Sequence, residues 1–260
     1  MIALVRTTIR YRDLIASLAS REMKLRYKTA SLGLLWSLIN PLCLAAVLTV
    51  VFTWLIPVSI ERFPLFLLCA LFPWNFLQTA VATGTVTIVQ SGGLIKKVAF
   101  PREAIPIAMV SVQLYHLLVA IGLLVATLVL FGVRLGPGLC WLPLLIVLQA
   151  IFVLGIVCGC AAWHTYFRDV KYVVELGLLI WFYATPIFYP LDAVTEPWRW
   201  WWLAANPMAV FVTLYRQVLL GIGGAVDLGL MAYAIIVSML VGSIGFLVFR
   251  RAARWFADVV

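Results

Sequence analysis

The chain has 260 residues, 65% hydrophobic and only 11% charged, with a formal net charge of +9. An ordinary soluble domain is about 45–50% apolar and about 25% charged, and a soluble fold of this length has no interior for the excess, so lipid must be part of the solvent. A β-barrel is excluded too, because 34–56 and 228–249 are apolar on every face instead of alternating.

Residues 1–32 carry Arg6, Arg10, Arg12, Arg21, Lys24, Arg26 and Lys28 with interleaved Leu14, Ile15, Leu18, Met23, Leu25 and Tyr27. These apolar residues are too frequent for a solvated tail, and the stretch reads as an amphipathic helix in the headgroup layer, cations toward anionic lipid. Because the first apolar span starts only after this stretch, no signal peptide is expected. Six spans of near 20 residues follow the bilayer's requirement: 34–56, 64–85, 104–131, 139–163, 173–189 and 228–249. Between the second and third lies a polar segment with Gly92-Gly93, Lys96, Lys97 and Pro101. Residues 190–227 are too apolar for a solvated loop and are broken by Pro190, Pro197 and Pro207; they read as an external pair of re-entrant or interfacial half-helices. Trp198, Trp200, Trp201 and Trp202 suit the membrane–water boundary. The chain thus reads as a single all-α polytopic membrane domain over 1–260.

Lys and Arg counts set the orientation. With both ends inside, segments 1–32, 90–103, 164–172 and 250–260 hold fifteen of them, against four outside (Arg62, Arg134, Arg199, Arg216). That bias predicts N-in, C-in. Such short basic segments between apolar runs do not describe a nucleic-acid-binding surface.

Chemistry is sparse. There is no phosphate-binding loop, no His-Glu-x-x-His, no metal-spaced Cys/His cluster and no Gly-x-Ser-x-Gly. Catalytic and metal sites are therefore not expected. Cys158 and Cys160, two apart, point to different faces of a helix and read as packing residues. His116 falls at membrane depth, where a polar residue is a functional candidate by default; bonding to a neighbouring helix is the favoured reading. Glu175, at the start of the fifth span, is placed to pair with Arg168 or Lys171. No two carboxylates meet in the bilayer core, so a proton relay is not signalled and energy must come from elsewhere. The aromatics in polar contexts, Trp36, Trp74, Asn75 beside Phe76, Tyr115, Tyr183, Phe188 and Tyr189, could line a path on which sugar rings stack.

Several motifs, in order, resemble one family, the permease subunits of ABC transporters that export O-antigen, teichoic acid and capsular polysaccharide. They are Arg21-Glu22-Met23-Lys24-Leu25-Arg26-Tyr27-Lys28 through Gly33-Leu34-Leu35-Trp36, then Asn40-Pro41-Leu42, Pro73-Trp74-Asn75-Phe76, and Leu94-Ile95-Lys96-Lys97-Val98-Ala99-Phe100-Pro101-Arg102-Glu103. Phe167-Arg168-Asp169-Val170, Phe182-Tyr183-Ala184-Thr185-Pro186-Ile187-Phe188-Tyr189-Pro190 and Asn206-Pro207-Met208 complete the set. The resemblance implies a homodimeric channel in the bacterial plasma (inner) membrane for polyprenyl-pyrophosphate-linked polysaccharide. Two copies of a separate cytosolic ATPase would bind the ATP and Mg, with no cofactor in this chain. It further implies that about 91–101 is a coupling helix, with Leu94, Ile95, Lys96, Lys97, Phe100, Pro101, Arg102 and Glu103 in the ATPase-coupling segment. Arg21, Lys24, Arg26, Tyr27 and Lys28 would belong to an interface helix. A drug or lipid permease and a membrane enzyme acting on polyprenyl-linked sugars are the competing classes. Clustered carboxylates or histidines at one membrane face would mark the enzyme, and this chain scatters them.

Overall fold

The computed structural model describes residues 7–27, 33–55, 60, 62–98, 100–133, 135–191, 195 and 198–256, without the side chains of Arg26, Tyr27 and Leu34. The described elements are helical. An N-terminal helix α1 (Arg12–Tyr27) is followed by α2 (Trp36–Val50), which runs on as a π-helical turn to Leu55. Next come α3 (Phe63–Gln90), the short α4 (Gly92–Lys97) and α5 (Ala104–Leu130). A 3-10 turn (Pro137–Trp141) leads into α6 (Leu142–Tyr166). The chain finishes with α7 (Val170–Ala184), α8 (Trp198–Ala205), α9 (Pro207–Leu220) and α10 (Leu228–Ala253).

Five helical stretches are long and apolar enough to cross a membrane: Trp36–Leu55, Phe63–Gln90, Ala104–Leu130, Pro137–Tyr166 and Leu228–Ala253. The pair α8 and α9, bent by 101° at Asn206, raises the number to six if it counts as one span. The expectation of six spans is compatible with this, but the fifth differs from its sequence reading of 173–189. Helix α7 has 15 residues, roughly 22 Å at 1.5 Å per residue, and stops at Ala184. Pro186 is the cause: it forces Thr185 out of the helical region (φ −89, ψ 137). The second span, conversely, runs five residues beyond its expected end, to Gln90.

Helix α3 is the hub. It packs against α2, α5, α6, α7 and α9, while α6 carries α10 on its other side. Pro64 lies in the first turn of α3, where a missing N–H costs nothing. Gly84 faces Val157 of α6, whose Cγ1 would lie 2.5 Å from a Cβ there. On the far side of α6, a Cβ on Gly155 would sit 2.7 Å from the Cα of Gly242. Small residues let helices approach where lipid supplies no hydrophobic drive between them. Polar side chains are absorbed locally: Thr79, Thr83 and Thr85 each donate to the carbonyl four residues back. Gln149 of α6 donates to the Pro73 carbonyl at 2.8 Å and accepts from the Tyr215 hydroxyl at 2.8 Å, joining α3, α6 and α9. His116 is buried and meets Gln113 of its own helix at 3.1 Å, one turn away.

Caps account for the last two helices. Asn206 accepts from the Ala209 N–H and Pro207 opens α9, which ends at Gly221 in the left-handed region (φ 67). Asp227 accepts from the N–H groups of Gly229 and Leu230 to start α10. The four tryptophans of α8 are exposed and Leu203 is buried, so the helix lies on the bundle by one edge. Tyr233 of α10 donates to the Ala204 carbonyl at 2.8 Å and fixes its end.

Candidate functional site: the basic end and the aromatic turn

The basic segments, far apart in sequence, meet at one end of the bundle. Helix α4 leaves α3 through Ser91, whose carbonyl accepts from the N–H groups of Leu94 and Ile95. Ile95 is buried and Leu94 and Phe100 half-buried, which anchors the segment, while Lys96 and Lys97 are exposed in its last turn. Pro101 leads into Arg102 and Glu103 at the start of α5. Arg102 donates to the carbonyl of Ala253, and Glu103 pairs with Arg250 at 3.2 Å. From α6, the Tyr166 hydroxyl donates to Ala252 at 3.3 Å. The segment after α3 is thus tied through Arg102 and Glu103 to the end of α10, to which α6 is bonded as well.

Helix α1 joins the same end. Ile15 is buried, and Leu14, Leu18 and Ala19 pack with it on the core, one stripe of the helix. Leu18, Arg21, Glu22, Thr87, Gln90 and Ile105 line a shared cleft between α1, α3 and α5. Arg21 and Lys24 face outward. Lys28, and the side chains of Arg26 and Tyr27, lie outside the described residues. Lys171 pairs with Glu175 at 3.9 Å, one of the two partners expected for that carboxylate.

The aromatic candidates separate. Phe188 stacks on Phe52 at 5.8 Å between ring centroids and meets Tyr183 and Tyr189 edge-on at 6.2 and 5.3 Å. Tyr183 is 62% exposed; Phe188 and Tyr189 are half-buried. Trp74 lies beneath this ladder, 2% exposed, against Trp181 and Phe182, and donates to Gln78 at 3.0 Å. Phe76 is equally buried in α3. Trp36 and Tyr115 are exposed elsewhere, on α2 and α5, and do not join the ladder.

Two residues that hold the ladder in place escaped the sequence reading. After Ala184 the helix is broken and its carbonyls need donors. Asn206 donates to the Ala184 carbonyl at 3.0 Å and to the Thr185 hydroxyl at 3.2 Å, and accepts from the Trp181 indole at 2.7 Å. Arg216 donates to the carbonyls of Pro186 and Ile187 at 2.7 and 2.6 Å. Its guanidinium lies 3.4 Å over the Phe66 ring. The charge count places Arg216 among the external charges; it is instead buried inside the bundle. The available signal is its position as the one charged residue in the apolar stretch 208–220.

Long apolar helices, a basic end with a short helix laced into it, and an aromatic turn fixed from within define a multi-pass membrane protein. More particularly, the profile of the family described as ABC-2 type transporter matches residues 13–220, and the chain belongs to that family. The O-antigen export system permease protein RfbA of Klebsiella pneumoniae is 30% identical over 251 residues, 95% of each chain. The protein of the same name from Myxococcus xanthus is 34% identical over 223 residues, 84% of each chain. Membership makes this a bacterial multi-pass transport permease that works with an ABC ATPase.

Proposed function

We propose that this chain is the transmembrane subunit of an ATP-driven exporter. It moves polyprenyl-pyrophosphate-linked polysaccharide, of O-antigen or teichoic acid type, from the cytosolic to the outer side of the plasma membrane. Two copies form the channel and two copies of a separate cytosolic ATPase bind ATP and Mg. The observation that carries this is the construction of the coupling segment: Lys96 and Lys97 project from a helix whose flanks are bonded into α5 and α10. In that arrangement work done on the exposed face displaces the spans.

The orientation is N-in and C-in, because Arg21, Lys24, Lys96, Lys97, Arg102, Arg250, Arg251 and Arg254 share one end of the bundle. At that end α1 is the interface helix. The exposed faces of α2 and α7 are where a second copy packs: α7 buries only Leu178. This juxtaposes two Tyr183–Phe188–Tyr189 ladders along the channel. The polysaccharide substrate is carried over from the relatives, which bear the name of O-antigen export over most of their length. Stacked aromatic faces with hydroxyl tips suit a glycan that must slide.

Depletion of the protein, followed by localisation of lipid-linked glycan, tests this. Glycan should accumulate on the cytosolic leaflet while its surface form disappears. Unchanged surface glycan would point to a drug or lipid permease, and loss from both leaflets to an enzyme.

A further inference from the structure

Four guanidinium groups gather where the coupling segment meets the end of α10. Phe100, Arg102, Glu103, Leu247, Arg251 and Arg254 line a groove there. Its charges fall into two sets. Arg250 is neutralised by Glu103 at 3.2 Å, and Arg102 is spent on the Ala253 carbonyl at the negative end of the helix. Arg251 and Arg254 are exposed, and among the described residues neither has a carboxylate within ion-pair distance.

Below Arg251 and Arg254 the surface is apolar. Leu240, Ile244, Leu247, Arg251 and Arg254 succeed one another at intervals of four, three, four and three residues, a single stripe of α10. The three apolar members are 56%, 52% and 54% exposed. Trp255, exposed beside Arg254, is the residue type that settles at headgroup level. Helix-end arginines are ordinarily explained by the macrodipole and by orientation. Arg251 and Arg254 share in the orientation, but neither role accounts for the concave groove and its apolar continuation.

We propose that this groove binds an anionic phospholipid. Arg251 and Arg254 hold its phosphate, in the fork geometry that guanidinium offers to phosphate oxygens. One acyl chain descends along Leu247, Ile244 and Leu240. Because the opposite wall is Phe100, Arg102 and Glu103, the bound lipid bridges the coupling segment and α10, and its presence stiffens the path by which the ATPase acts. The site is independent of what the permease transports.

Native mass spectrometry of the purified full-length protein, with added dioleoyl phosphatidylglycerol or dioleoyl phosphatidylcholine, tests it. Phosphatidylglycerol should be retained in clear preference, and R251Q/R254Q should lower its retention several-fold. R168Q/K171Q, which removes the same charge from another part of the same end, should retain as much as the parent. If the double variant does not fold, R254Q alone serves. Equal retention of the two lipids, an unaltered R251Q/R254Q, or an equal loss in R168Q/K171Q would overturn the site. So would undecaprenyl phosphate displacing phosphatidylglycerol in the parent and not in R251Q/R254Q, since the groove would then belong to the carrier lipid.

Discussion

Arg216 of α9 donates to the carbonyl oxygen of Ile187 at 2.6 Å, joining a helix on one side of the 101° bend to the turn that follows α7. With the bond to Pro186 at 2.7 Å it satisfies two carbonyls that proline has removed from any helix. A buried hydrogen-bond acceptor left without a donor costs about 1–3 kcal/mol. Arg216→Met should therefore destabilise the protein by about 2–5 kcal/mol, allowing for both carbonyls. Arg216→Lys should recover only part, because one ammonium cannot span two carbonyls and the Phe66 ring in the same planar geometry. Thermal melting in detergent, followed by fluorescence-detected size exclusion, checks both. An unshifted midpoint for Arg216→Met would show that the bonds contribute nothing.

Gly245 of α10 lies against Gly155 of α6 so closely that a Cβ on Gly245 would fall 2.6 Å from the Gly155 carbonyl carbon. The obstacle is backbone, which cannot rotate aside. Gly245→Leu should abolish the monodisperse species, whereas Gly122→Leu, with nothing within 4 Å of its Cβ position, should leave it intact. Equal behaviour of the two variants would mean that α6 and α10 do not pack through this pair.

Reversing both charges in Lys96→Glu/Lys97→Glu should weaken assembly with the ATPase and remove stimulated hydrolysis, with the permease's own melting unchanged. Both lysines are exposed and neither has an ion-pair partner among the described residues, so stability does not depend on them. Normal assembly and hydrolysis would remove α4 from the contact.

The aromatic turn makes a contrast within one set of residues. In a background with the exposed Cys43 and Cys140 replaced by serine, Tyr183→Cys and Tyr189→Cys should react with polar thiol reagents. Trp74→Cys should not, because Trp74 is enclosed by Trp181, Phe182 and its own helix. A reactive Trp74→Cys, or unreactive Tyr183→Cys and Tyr189→Cys with ATPase and ATP present, would move the path away from the ladder.

Much of this architecture is legible in the sequence because lipid imposes it. Twenty apolar residues in a row have one solution at membrane depth, so 34–56, 104–131 and 228–249 correspond to α2, α5 and α10 within a turn at most ends. The break before α9 is likewise legible, from Pro207, which can open a helix but not sit inside one. Tertiary partnership was not readable. Trp74 and Tyr183 are both aromatic residues in polar surroundings, and only packing makes one a floor and the other a surface. Arg216 looked like a loop charge because its acceptors, Pro186 and Ile187, are about thirty residues away and are backbone atoms, which leave no mark on composition. The fifth span extends too far in the sequence because hydropathy continues through 185–189 although Pro186 ends the helix.

The most direct test of ATP-driven export is reconstitution of this chain with its ATPase in proteoliposomes carrying fluorescent lipid-linked glycan in the ATPase-facing leaflet. On adding ATP and Mg, the glycan should become inaccessible to a glycosidase on the ATPase side, and it should stay accessible when Lys96→Glu/Lys97→Glu replaces the parent. Glycan that never changes leaflet while ATP is hydrolysed would contradict the account.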